Sequence, residues 1–149
     1  MAQHKKQKIY KIISLTLLVS TLILIFYLSA QKAEDSSQSS GFLTRLLEKL
    51  LPFPVTDDSV RVFAHFAEYS FLAFLMSNTF TSFKGKPCSA LSILLSCIYA
   101  LSDEIHQYFV PGRACQLSDL IMDSVGIILG VFAFRMMFEA IKKLREKRN

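Results

Sequence analysis

Four apolar stretches alternate with polar segments along the chain. Residues 12–30 read IISLTLLVSTLILIFYLSA, 19 residues without a charge. At about 1.5 Å per residue, a helix of that length spans about 28 Å, the hydrocarbon thickness of a bilayer. Three further stretches, 62–83, 88–109 and 117–138, are 22 residues each and are interrupted by polar groups. The uncharged part of the third, 87–102, is short for a crossing, so a spanning helix there carries Asp103 and His106 near the membrane surface. Between the first two stretches, residues 42–51 place Phe42, Leu43, Leu46, Leu47, Leu50 and Leu51 on one helical stripe, with Arg45, Glu48 and Lys49 off it, and Pro52 and Pro54 stop the run. This segment reads as a short amphipathic helix lying in the outer interface or covering the bundle, or as an ordinary packing helix in the loop. The pattern predicts an all-α, four-transmembrane-helix bundle in a single domain over residues 1–149, with no internal repeat. A cleaved signal peptide competes for the first stretch, because Lys5, Lys6, Lys8 and Lys11 form a basic start and Leu28, Ser29 and Ala30 resemble a small-residue cleavage site. Against it, the apolar run exceeds the usual length of a signal core, about 7 to 15 residues.

Composition agrees with a membrane protein: 52% hydrophobic and 19% charged residues, with mean hydropathy +0.36. The net charge of +5 and pI near 9.2 raise the question of nucleic acid, and the position of the charges answers it. Lysines precede the first stretch; Lys84 and Lys86 separate the second and third; Lys142, Lys143, Arg145, Lys147 and Arg148 lie in the basic tail 139–149. By the positive-inside rule these regions are cytoplasmic, which puts both termini inside and predicts a multi-pass protein of the cell membrane with no nucleic-acid partner. The cysteines, Cys88, Cys97 and Cys115, lack the paired spacing of a zinc-thiolate site and are odd in number for a disulfide framework.

Ionisable groups inside a bilayer cost about 2.5 to 3.5 kcal/mol each on insertion scales, so those within the apolar stretches carry the information. His65, Glu68 and Tyr69 stand at i, i+3 and i+4, with Arg61 one turn back; Asp103, His106 and Gln107 repeat the spacing, Glu104 sits one step around, and Asp119 and Asp123 follow at i and i+4. Counting from the cytoplasmic anchors, Lys84 to Glu68 is 16 residues, Lys86 to Asp103 is 17 and Arg135 to Asp119 is 16. Each distance is about 24 to 26 Å of helix. Three helices thus bring carboxylates and imidazoles to one level in the outer leaflet, beside a Pro111-Gly112 turn and Arg113. Snorkelling side chains or a purely structural polar network would produce parts of the same pattern. Gly126 and Gly130 form a G-x-x-x-G, read as a helix-packing surface.

The run DEIHQYFVPGR at 103–113, followed by SDLIMDSVGIILG at 118–130, resembles the VanZ-like family of small bacterial membrane proteins, and RVFAHFAEYSFLAFL from Arg61 and FYLSAQ from Phe26 resemble its other signatures. Ala114, Cys115 and Gln116 depart from the small, Ser/Gly-rich stretch expected there. The resemblance implies a four-helix integral membrane protein of the cell envelope, associated in some members with resistance to the lipoglycopeptide teicoplanin.

Three functions fit these residues. In an enzyme acting on an anionic lipid or lipid-linked cell-wall precursor, Arg113 binds phosphate or carboxylate and His65 and Glu68 form an acid/base pair. Glu104, His106, Asp119 and Asp123 then offer oxygen and nitrogen ligands to a divalent metal, without a strict metal-binding spacing. Catalytic candidates are accordingly His65, Glu68, Glu104, His106 and Asp123, and ligand-binding candidates are Tyr69, Asp103, Gln107, Arg113 and Asp119. In a non-catalytic protective protein the same pocket recognises a lipid head group, a precursor or the lipoglycopeptide antibiotic, with Arg113 and Glu104 as recognition residues. A transporter would require a homodimer, because four helices make a small pathway.

Overall fold

A computed structural model of the chain describes residues 2–31, 41, 44, 45, 49, 54–113 and 116–148. These residues are all-helical, with α1 Ala2–Ser29, α2 Asp57–Lys84, α3 Ser89–Tyr108 and α4 Leu117–Glu146. Most of the amphipathic stripe expected at 42–51 lies outside the described residues, as do Ala114 and Cys115.

Local chemistry sets several of the helix ends. The Thr56 hydroxyl accepts from the Ser59 N–H at 3.2 Å and so caps the start of α2. At its other end Gly85 takes φ 72°, a left-handed conformation suited to glycine, and its N–H donates to the Thr81 carbonyl at 2.8 Å. Between α3 and α4, Gly112 has φ 80° and the Arg113 N–H donates to the Val110 carbonyl at 3.1 Å. Pro111 at the second position of this turn and a left-handed glycine at the third suit a type II geometry. α4 runs on to Glu146, through most of the expected basic tail. Pairs Arg135–Glu139 at 3.8 Å and Lys142–Glu146 at 4.0 Å sit at i,i+4 on that extension.

α2 is the hub. It packs on α1, α3 and, over the broadest interface, α4. The core gathers Leu18 and Ile25 of α1, Tyr69, Leu72, Ala73, Leu75 and Met76 of α2, Ala100 of α3, and Ile127 and Val131 of α4. α1 contributes a single stripe, Ser14, Leu18, Ile25 and Ser29, whose spacing follows the helical period. The Thr79 hydroxyl donates to the Ser14 carbonyl at 3.1 Å, and the Tyr99 hydroxyl donates to the Leu22 carbonyl at 2.6 Å, tying α1 to α2 and α3.

The distribution of polarity is reversed relative to a water-soluble bundle. The buried face of α3 is Ser92, Ser96, Ala100, Asp103, Glu104 and Gln107, while Leu94, Ile98, Leu101 and Ile105 are exposed. α4 likewise buries Asp119, Asp123, Gly126 and Gly130 and exposes Ile121, Ile128, Leu129 and Phe132. Water would penalise so extensive an apolar exterior, whereas lipid tails accept it. By length and composition, Gln3–Ser29 and Leu117–Glu146 are apolar enough to cross a membrane. α2 and α3 fall short of that mark among the described residues, because their polar side chains dilute the hydropathy.

Candidate functional site

The first half of α2, the end of α3 and the start of α4 meet at one end of the bundle. Their approach depends on two glycines of α4. A Cβ at Gly126 would lie 2.5 Å from the Phe66 carbonyl oxygen, and one at Gly130 would lie 2.0 Å from that of Ser70. Only glycine permits backbones this close. Phe66 adjoins His65 in sequence, and Gly126 lies one turn beyond Asp123, so the same approach brings those two polar residues together. His65 Nδ1 lies 3.5 Å from Asp123 Oδ1, with His65 8% and Asp123 0% exposed. The separation suits charge pairing, but the two groups are not aligned as a hydrogen bond.

Glu104 enters from α3. Its Oε2 accepts the backbone N–H of Gln116, the residue that caps α4, at 3.0 Å. A carboxylate is favoured there by the positive end of the helix dipole, by about 0.3 to 2 kcal/mol. One oxygen is therefore fixed by the backbone. The other, Oε1, is buried without a hydrogen-bond partner, as are His65 Nδ1 and both Asp123 carboxylate oxygens. One ligand atom from each of His65, Glu104 and Asp123 lies within 4.8 Å of the others.

The remaining polar residues surround this trio. Gln107 Nε2 donates to Asp103 Oδ2 at 3.1 Å, and the Ser118 hydroxyl donates to Asp119 Oδ1 at 3.3 Å. Glu68 is half-buried, in electrostatic reach of His65, Asp103, Asp123 and Arg113. Tyr69 is fully buried beneath the cluster, within reach of Asp103 and Asp123. Arg113 Nη2 donates to the Leu28 carbonyl at 3.4 Å, linking the turn to α1. Burial lowers the guanidinium from its usual value; Asp103 opposes that shift, Arg61 adds to it, and Glu68 and Glu104 oppose it.

His106 stands apart from the trio. Its ring stacks on Phe26 of α1, with centroids 4.7 Å apart and planes at 28°. The sequence pattern grouped it with Glu104, Asp119 and Asp123 as possible cation ligands; the structure instead brings His65 to Glu104 and Asp123. The reason is helical geometry: residues two apart, such as Glu104 and His106, point to different faces. The buried face of α3 comprises Asp103, Glu104 and Gln107, with His106 at its margin. Two participants were not among the expected site residues. The Gln116 N–H is a backbone group with no compositional signal, and Phe26 is one aromatic among many apolar residues of α1.

No curated protein and no solved structure matches the chain. The VanZ/LLP1 family model matches residues 13–138. Since that match runs from within α1 to the later turns of α4 and takes in every residue of the cluster, the chain belongs to the VanZ/LLP1 family.

Proposed function

We propose that the protein crosses the cell membrane four times with both termini in the cytoplasm, and that the polar cluster is an outer-leaflet site acting on the anionic group of a lipid-linked envelope component. Lys84, Lys86 and the basic end of α4 support the orientation through the positive-inside rule. The apolar exteriors of α3 and α4 support a lipid surround for helices whose polar residues face inward. The observation that carries the functional reading is the buried His65–Asp123 pair, 3.5 Å apart, in which His65 Nδ1 and both Asp123 carboxylate oxygens make no hydrogen bond.

Buried polar atoms without partners cost about 1 to 3 kcal/mol each, and several in one place favour a bound group that completes them. On this reading Arg113 attracts a phosphate or carboxylate to the mouth of the site. His65, paired with Asp123, and Glu68 on the same face of α2 are placed to exchange protons with the bound group. Protection against glycopeptides of the lipid-tailed teicoplanin type would follow from altering the envelope component to which such a drug docks.

Mass spectrometry of extracted envelope lipids, with and without the gene, tests the proposal. One class of lipid-linked species should change in abundance with the wild-type protein and revert with His65→Ala or Arg113→Ala present at equal levels in the membrane. Unaltered lipids, together with teicoplanin tolerance that scales with protein abundance and survives His65→Ala, would replace catalysis with protective binding.

A further inference from the structure

We propose that His65, Glu104 and Asp123 bind one divalent transition-metal ion, Zn²⁺ or Mn²⁺, between α2, α3 and α4. The inference concerns the same cluster as the proposed function and, whichever substrate the site handles, assigns His65 Nδ1 and Asp123 to the ion in place of proton transfer by His65. It rests first on geometry. A tetrahedral ion with bonds of about 2.1 Å separates its ligand atoms by about 3.4 Å. His65 Nδ1 and Asp123 Oδ1 already lie 3.5 Å apart. The three ligand atoms lie within 4.8 Å of one another, so the widest pair has to close by at most about 1.4 Å (4.8 − 3.4), a movement within reach of carboxylate side-chain torsions.

The second support is that each of the three is nine-tenths or more buried and holds an unpartnered atom: His65 8% exposed, Glu104 1% and Asp123 0%. Glu104 is oriented as a ligand would be. Its Oε2 is anchored by the Gln116 N–H while Oε1 remains open, the division of labour that outer hydrogen bonds impose on metal-binding carboxylates.

The third support is charge. The electrostatic neighbourhood contains Glu68, Asp103, Glu104, Asp119 and Asp123 against Arg61 and Arg113. With two guanidiniums against five carboxylates, three acidic groups lack a cationic counterpart (5 − 2), and each is neutralised either by a proton or by a bound cation such as a divalent metal ion. Such neutralisation is what an interior site of low dielectric requires. A mixed nitrogen and oxygen donor set favours zinc or manganese over calcium, which prefers six to eight oxygens. Three protein ligands leave a coordination position open, as in catalytic rather than structural sites.

The test uses full-length protein purified in detergent, stripped with a chelator, dialysed against Zn²⁺, Mn²⁺ or Ca²⁺ at equal free concentration, and assayed by elemental mass spectrometry. About one Zn²⁺ or Mn²⁺ per chain is expected, with at least a tenfold fall in both Asp123→Asn and Glu104→Gln and no comparable fall in Asp119→Asn. Substoichiometric binding by wild type, retention of metal by both conservative ligand variants, or equal loss in Asp119→Asn would overturn the assignment. Should the ligand variants fail to fold, Co²⁺ added to wild type decides: a visible absorption spectrum of nitrogen and oxygen coordination, displaced by Zn²⁺, supports the site, and its absence refutes it.

Discussion

Replacing Gly130 with alanine tests the architecture on which the site depends. The added Cβ would meet the Ser70 carbonyl oxygen at 2.0 Å and its carbon at 2.8 Å, both backbone atoms that cannot rotate away. Restoring an ordinary contact of 3.4 Å requires α4 to retreat from α2 by about 1.4 Å (3.4 − 2.0). At Gly126 the required retreat is smaller, about 0.9 Å (3.4 − 2.5). Overpacking of this kind costs about 1 to 3 kcal/mol, offset by about 1 kcal/mol of improved helix propensity when glycine becomes alanine. Gly130→Ala, at the upper end of that range, should lose about 2 kcal/mol net, and Gly126→Ala less. At about 2 to 4 °C per kcal/mol for a chain of this size, Tm of the purified protein should fall by about 4 to 8 °C in Gly130→Ala. The smaller change at Gly126 acts nearer the site: a rigid retreat there would widen His65–Asp123 from 3.5 Å by up to about 0.9 Å, the full amount if the movement lies along the line between them, and so weaken the charge pairing. Thermal unfolding followed by circular dichroism supplies the measurement. Alanine variants at both positions that match or exceed the wild-type Tm would refute the close approach, because helix propensity acting alone predicts that gain.

Two further outcomes follow from the same geometry. Glu104→Ala leaves the Gln116 N–H without its acceptor and should cost about 1 to 3 kcal/mol, while Glu104→Gln keeps an oxygen at that position and should cost less; equal Tm values for the two variants would contradict the capping contact. In a cysteine-free background, Gly112→Cys should react with a membrane-impermeant maleimide added to intact cells, and Lys86→Cys and Lys147→Cys only after permeabilisation; the opposite pattern would invert the proposed orientation.

The fold and the site differ in how far they can be read from residues alone. The four apolar stretches emerge as helices because long apolar runs without proline keep every backbone N–H available for hydrogen bonds within the segment. Their lengths are less legible: α2 starts at Asp57 and α4 continues to Glu146, since capping by Thr56 and i,i+4 charge pairs extend helices past their apolar portions. Counting depth from Lys84, Lys86 and Arg135 brings α2, α3 and α4 polar groups to a common level, and the electrostatic coupling of Glu68, Asp103 and Asp119 with the trio is consistent with that count. Depth, however, says nothing of rotation about the helix axis. Asp103, Glu104, His106 and Gln107 occupy barely more than one turn, and small differences in roll decide which of them face inward. That roll is set by packing: Phe26 draws His106 toward α1, and the small Ser92, Ser96 and Ala100 turn the opposite side of α3 toward α2 and α4. G-x-x-x-G shows a similar limit. Its role in close packing is evident from spacing, but that Phe66 and Ser70 lie opposite, and hence that His65 meets Asp123, depends on the register between two helices far apart in sequence. In this protein the packing surface and the polar site are consequently one device: the glycines set the separation at which the buried histidine and carboxylate converge.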